Sequence, residues 1–265
     1  MFMMKTYGII VLSAILFNGE SHPYTQHNSV TGPFCCVSAD ATGIVVAADV
    51  NSVLYGYNRA GKLQYSQSYA QYGIVSIIDA SNALDVFVYF RTSRKLLVLD
   101  NQLNLKKELD FNQFQNYQVQ GLGRAADGMC WILDARERLI RKLDFTGRTL
   151  QTQMIQGGQF PKQFCRIMDN GSSVVIAADN STVVRVYSSA LMPQHQFVKP
   201  PESWSLYNQT IYTPLDSNRV LATSLYNGSR DTINTEGTVH LKHIVVYSGG
   251  MANTDRKQLA FYHQL

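Results

Sequence analysis

Between residues 43 and 191 the sequence repeats itself four times at a spacing of 42 to 44 residues. The clearest copy, GMCWILDARERLIRKLDFTG, runs from Gly128 to Gly147. Under it lie GIVVAADVNSVLYGYNRAG from Gly43, DVFVYFRTSRKLLVLDNQL from Asp85 and SSVVIAADNSTVVRVYSSAL from Ser172. The turn residues Asn58, Asp100, Asp144 and Ser188 fall 42, 44 and 44 apart. A unit this small, made of short apolar strands, cannot bury its faces alone, so tandem copies must stack on one another.

Each unit reads as four strands. A short apolar run (IVSII, VQGLG or FCRIM) leads through a polar turn to the steepest run: IVVAA, VFVYF, MCWIL or VVIAA. Runs of this length with β-branched and aromatic residues, bounded by Asp, Asn, Gly and Ser, are strand signals. The third strand alternates, as in LIRKLD and VVRVYS, which suits one covered face and one wet face. The fourth, KLQYS, LKKEL, RTLQT or PQHQF, follows a tight turn in which Gly61 and Gly147 fit positions of positive φ. Four antiparallel strands in about 43 residues make a propeller blade. A stretched fifth unit, QTIYTPL, RVLATSL and HIVVYS, fills Gln209 to Ser248, with an apparent insertion at 226–238. The expectation is an all-β fold, a β-propeller of five four-stranded blades. An open β-solenoid is the alternative, although its repeats are shorter.

The N-terminus, MFMMKTYGIIVLSAILFNGES, has one early lysine and then an apolar stretch from Tyr7 to Phe17. That stretch is too short for a bilayer-spanning helix of about 20 residues and has the form of a secretory signal peptide. Residues 1–21 are therefore read as a signal peptide and residues 30–265 as one propeller domain. Export to the periplasm or the periphery of the outer membrane follows, with no transmembrane segment in the mature chain. The formal net charge is only +4, and its basic residues are interleaved with acidic ones. That pattern argues against a nucleic-acid partner. Cys35, Cys36, Cys130 and Cys165 lack zinc-ligand spacing. A Cys130–Cys165 disulfide between neighbouring units is conceivable in an exported chain.

The repeat pattern, G-x-hydrophobic-W/A-x-x-D followed by hydrophobic-D-x-x-G, resembles the NHL-like and YVTN-like propeller families. The run from Ala60 to Phe111, with LGRAADGMCWILDARERLIRKLDFTG after it, is similar to exported single-propeller proteins of Bacteroidota. That resemblance covers roughly residues 43 to 160. It implies an accessory of the type 9 secretion translocon, and its motifs are mainly structural.

No HxH, HExxH or GxSxG occurs, and the six histidines are scattered, so no catalytic site and no cofactor or metal are expected. Asp49, Asp134 and Asp179 recur at blade spacing; they either ring a central calcium or, as strand-end aspartates usually do, cap turns. The blade-joining segments are rich in aromatics and Gln. Tyr69, Tyr72, Phe111, Phe114, Tyr117, Phe160, Trp204 and Tyr207 either form a ring of partner contacts or wedge between blades. With Asn227, Arg230 and Asp231 of the apparent insertion, they are the candidate partner-binding residues, placed on loops held by a rigid frame. The leading expectation is a non-enzymatic scaffold that binds protein partners, a large outer-membrane translocon among them. A carbohydrate or small-ligand binder and a propeller lyase or hydrolase are the alternatives. The enzyme would need carboxylates converging within about 5 to 10 Å.

Overall fold

A computed structural model describes residues 24–82, 84–114, 117–155, 160–200, 202–237 and 239–264. The signal-peptide expectation lies outside them. The described residues contain strands and two short 3-10 turns, Ala70–Tyr72 and Phe111–Gln113.

The first strand, β1 (Tyr24–Thr31), is used last. Blade 1 is then β2 (Phe34–Ala39), β3 (Val45–Asp49), β4 (Val53–Tyr57) and β5 (Leu63–Ser68). Blade 2 is β6 (Ile77–Asp79), β7 (Val86–Phe90), β8 (Lys95–Leu99) and β9 (Leu105–Asp110). Blade 3 is β10 (Val119–Arg124), β11 (Cys130–Asp134), β12 (Leu139–Leu143) and β13 (Thr149–Met154). Blade 4 is β14 (Cys165–Asp169), β15 (Ser173–Ala177), β16 (Val183–Ser188) and β17 (Pro193–Val198).

Two further runs follow where the repeat count gave one. β18 (Ser205–Tyr207), β19 (Thr210–Pro214), β20 (Arg219–Ser224) and β21 (Arg230–Glu236) pair antiparallel in order. β22 (His243–Tyr247), β23 (Gly250–Thr254) and β24 (Gln258–Gln264) form a second run, whose outermost strand is β1, with Thr31 opposite Gln258 and Tyr24 opposite Gln264. The hydrogen-bonded order shows two eight-stranded and two four-stranded sheets. Each eight-stranded sheet is two antiparallel runs of four joined by a short parallel pairing: Gly121 with Cys165 and Leu122 with Arg166 in one, Tyr24 with Thr235 and Thr25 with Glu236 in the other. The expected five blades are thus corrected to six antiparallel runs of four. HIVVYS opens a new run instead of supplying the third strand of the fifth. The last run looks incomplete in the sequence because its outer strand comes from the other end of the chain.

Six apolar clusters among the described residues match the six contacts of a closed ring. In β3, Val46 and Ala48 face blade 2 while Val45 and Ala47 face the last run. In β11, Cys130 and Ile132 join the cluster with blade 2 while Trp131 and Leu133 join that with blade 4. Successive strand residues point to opposite faces. A strand sandwiched between two blades is therefore apolar at every position, which explains IVVAA and VVIAA.

The turn residues that set the repeat act as local caps. Asn58 accepts from the N–H groups of Ala60 and Lys62, Asp100 from Gln102 and Asn104, and Asp144 from Thr146 and Arg148. Three residues after each cap the backbone has positive φ: Gly61 at 74°, Leu103 at 68°, Gly147 at 79° and Leu191 at 62°. Both leucines are fully buried. Burying a leucine contributes about 1.5–3 kcal/mol, which outweighs a left-handed residue's cost of about 1–2 kcal/mol. At Gly147 the equivalent space is taken by the Phe114 ring, so only glycine fits there.

Candidate functional site

The connections between blades and the turns between second and third strands lie at one end of the ring, called here the connection end. The turns between first and second and between third and fourth strands lie at the other, the turn end. The apparent insertion at 226–238 is corrected accordingly. Arg230–Glu236 is the strand β21, and residues 225–229 are a third-to-fourth-strand turn at the turn end. Asn227 accepts from the Ser229 N–H, and Arg230 donates to the Val198 carbonyl at 2.6 Å, tying β21 to β17. Asp231 is exposed and accepts from the Thr232 N–H.

The aromatics of the blade-joining segments lie between blades. Tyr69, Phe111 and Trp204 are buried. The Tyr69 hydroxyl donates to the Leu103 carbonyl at 2.7 Å and the Trp204 indole N–H to the Ala177 carbonyl at 3.3 Å. Tyr72, Phe114, Tyr117, Phe160 and Tyr207 are half-buried and pack on the interblade clusters. These rings fill wedge-shaped gaps and offer a partner at most their edges.

The strand-end aspartates are divided in role. Asp49 accepts from the Asn51 and Val53 N–H groups, both at 2.9 Å. The fully buried Asp134 accepts from Gln118 and Arg136 N–H groups and pairs with Arg141 Nε at 3.0 Å. Asp179 instead pairs with Arg166 Nη2 at 3.3 Å. No group of three metal-ligating side chains occurs among the described residues.

At the connection end the channel opens into a cavity of about 200 Å³ whose walls include Cys35, Cys36, Arg166, Asp179, His243 and Arg256. Arg166 also donates to the Trp204 carbonyl and stacks over its ring at 5.1 Å. Arg256 Nε donates to His243 Nε2 at 3.4 Å. Burial pushes the His243 pKa down to about 4, with Asp179 opposing and Arg256 assisting. Lys199, which the sequence reading passed over, is 2% exposed. Its ammonium donates to the Asp179, Pro200 and Glu202 carbonyls at 2.9, 3.0 and 2.7 Å. Burial lowers its pKa to about 8, with Asp179 opposing the shift. Its only sequence signal is a lysine placed against a Pro-Pro pair at the end of an outer strand.

Cys35, Cys36, Cys130 and Cys165 are all free thiols, so the conceivable Cys130–Cys165 bridge is not made. Both of those are buried, and burial raises both pKa values, that of Cys165 to about 12.

Between its ends the channel narrows to about 30 Å³, lined by Ile77, Ile78, Ile167, Leu206, Val245 and Val246 among others. The glycines of VQGLG lie where β10 runs against β14. A Cβ on Gly123 would strike the Ile167 carbonyl, and one on Gly121 would lie 3.0 Å from the Cys165 carbonyl oxygen. Close strand approach accounts for them.

At the turn end a larger polar cup of about 490 Å³ is walled by Asp40, Arg124, Asp169, Asn170, Asn208 and Gln209, with Tyr207 beside them. Asp169 accepts from the Trp131 indole N–H at 2.8 Å and from the Ala126 and Gly171 N–H groups. Asp40 Oδ1 accepts from Thr42 and Ile44 N–H groups, while its Oδ2 is buried without a protein partner, as is Arg124 Nε. Asp79 accepts from Ser81 and Arg124 N–H groups. Most carboxylate oxygens at this end are thus engaged by backbone.

No family model and no curated protein sequence matches the chain. Among solved structures it is similar to the β-propeller domain of Myceliophteria thermophila Cps50 (Swd1), with a TM-score of 0.63 at 10% identity over 91% of this chain and 99% of that one. It is also similar to a streptogramin B lyase, with a TM-score of 0.59 at 9% identity over 93% of this chain and 100% of that one. At such identity the likeness concerns the fold: the chain is a β-propeller. No helix among the described residues is long and apolar enough to cross a membrane.

Proposed function

We propose that this propeller is a non-enzymatic scaffold that holds a protein partner against its rim. The observation that carries the reading is where large apolar side chains remain exposed. Leu63 and Tyr65 on β5, Leu105 on β9, Leu150 and Met154 on β13 and Val198 on β17 lie on the outer strands of successive blades. Apolar groups spread along exposed strand edges suit an extended protein surface better than a small ligand. Tyr226, 90% exposed beside Asn227 and near Asp231, extends this surface at the turn end. The resemblance to exported Bacteroidota propellers supplies the specific partner, an outer-membrane translocon of type 9 secretion, and with it a periplasmic location.

The polar cup supports a second reading, a carbohydrate or other small polar ligand held by Asn170, Asn208, Gln209 and Tyr207. Affinity purification of the tagged chain from solubilised envelopes, followed by mass spectrometry, separates the two. Stoichiometric recovery of a large outer-membrane protein, lost in a Leu63→Glu, Leu150→Glu variant, is the expected result. Recovery of the chain alone, with thermal stabilisation by an oligosaccharide, would replace the scaffold by the ligand binder.

A further inference from the structure

We propose that Cys35 and Cys36 form a thiol-exchange site at the connection end, in which Cys35 attacks a small-molecule disulfide and retains half of it as a mixed disulfide. The geometry begins with a β-bulge. Phe34 pairs with Asp49 and Cys36 with Ala48, so Cys35 is the extra residue of β2. Adjacent side chains of a regular strand point to opposite faces. A bulge breaks that alternation and re-aims a side chain, and here both thiols line the same cavity of about 200 Å³. Both are partly exposed, whereas Cys130 and Cys165 are sealed in the interblade core.

The surroundings divide the pair into a nucleophile and its supporter. The neighbouring Cys36 thiol holds the pKa of Cys35 down against the opposing effect of burial. Cys35 beside it, with burial, raises that of Cys36. Arg256 favours the Cys35 thiolate and Asp49 disfavours it, the Asp49 carboxylate itself being contacted by the Tyr55 hydroxyl at 3.3 Å. Arg166, Asp179 and His243 complete the charged wall. In its neutral form Cys35 lies 3.5 and 3.4 Å from the Ala48 and Asp49 carbonyls, and Cys36 lies 3.7 Å from the Val75 carbonyl. A cationic flank, a neighbouring thiol donor and partial exposure are the conditions that make a cysteine reactive.

In the reaction the Cys35 thiolate attacks one sulfur of R–S–S–R. The new sulfur–sulfur bond forms as the old one breaks, and the departing R–S⁻ carries away the electron pair and takes a proton from water. Cys35 is oxidised and the leaving half reduced, with no other reagent. A cavity of about 200 Å³ admits a small thiol and excludes a folded partner.

The test uses the full chain and a dithiobis-nitrobenzoate, whose released thiolate is read by its absorbance while mass spectrometry of peptides locates the adduct. One fast equivalent on Cys35 is expected, reacting faster than the same cysteine in the guanidinium-unfolded chain near neutral pH. Cys35→Ser and Cys35→Ala should abolish the fast phase. Cys36→Ala should slow it by at least about threefold near neutral pH and move its pH–rate midpoint upward, because the neighbouring thiol is removed. Cys130→Ser and Cys165→Ser should leave it unchanged. A fast equivalent located on Cys130 or Cys165, or a folded Cys35 no faster than the unfolded one, overturns the proposal. So does a Cys36→Ala variant with an unaltered pH profile.

Discussion

The two ends of the channel are built by the same ring of inner strands, yet one is crowded with charge and the other is an open cup. At the connection end, the chain arrives from an outer strand such as β17 and must reach the inner strand of the next blade. Its backbone carbonyls need donors there, and the buried Lys199 supplies three hydrogen bonds. At the turn end the chain reverses in a few residues, and Asp40 and Asp169 satisfy those turns from within. Long crossings fill an end with side chains that solve a backbone problem, whereas tight turns leave space. The charge at the connection end is thus structural first, and the thiols sit in what remains.

The largest effect expected from this contrast is at Lys199. Lys199→Met removes the charged donor of three carbonyls and should cost about 4 kcal/mol, since each hydrogen bond from a charged group contributes about 1.5–3 kcal/mol. Urea unfolding measures it, and a loss below about 1 kcal/mol would mean that water serves those carbonyls equally well. Next comes acid. The folded chain keeps His243 neutral down to about pH 4, while in the unfolded chain it takes a proton near 6.5. As pH falls below 6.5 the unfolded state binds the additional proton, so stability declines until about pH 4, by about 3 kcal/mol in all. Comparing the pH dependence of wild type with His243→Gln isolates this contribution, which the variant should lack.

The turn end should respond less. Asp169→Asn keeps one acceptor oxygen but sets an amide against the N–H donors, and should cost about 2 kcal/mol in thermal or urea unfolding. Asp40→Asn should change stability by less than about 0.5 kcal/mol, because Oδ1 carries the turn while Oδ2 has no protein partner. A loss there as large as that of Asp169→Asn would show that Oδ2 has a partner in solution and erase the distinction between the two carboxylates.

How much of this was legible follows from which faces are buried. The second strands announce themselves because both faces are covered, and the turn caps at Asn58, Asp100 and Asp144 fix the period. Outer strands carry little signal. β5 is exposed at every position, and β21, RDTINTE, reads as an inserted loop. The sixth run was illegible for a further reason: its outer strand, the polar YTQHNSVT of β1, lies more than two hundred residues from the strands it completes. The aromatic connections were visible as aromatics, but nothing local separates a ring that wedges between blades from one that meets a partner. The thiol pair was visible as two cysteines. The bulge that turns both into one cavity depends on the register of β2 against β3, which no local pattern reveals.

The pairing of β1 with β24 also sets an order in time. The ribosome delivers β1 more than two hundred residues before its antiparallel partner β24. Until β21 and β24 have been made β1 is an unpaired edge, and the apolar faces that meet between the first and last blades have no cover. Completed blades can stack as they appear, but the ring closes only when the newest strand finds the oldest. Such a distant contact makes closure the slow step. Until then the nascent chain presents an open sheet edge, the part of the molecule with the greatest need of a chaperone.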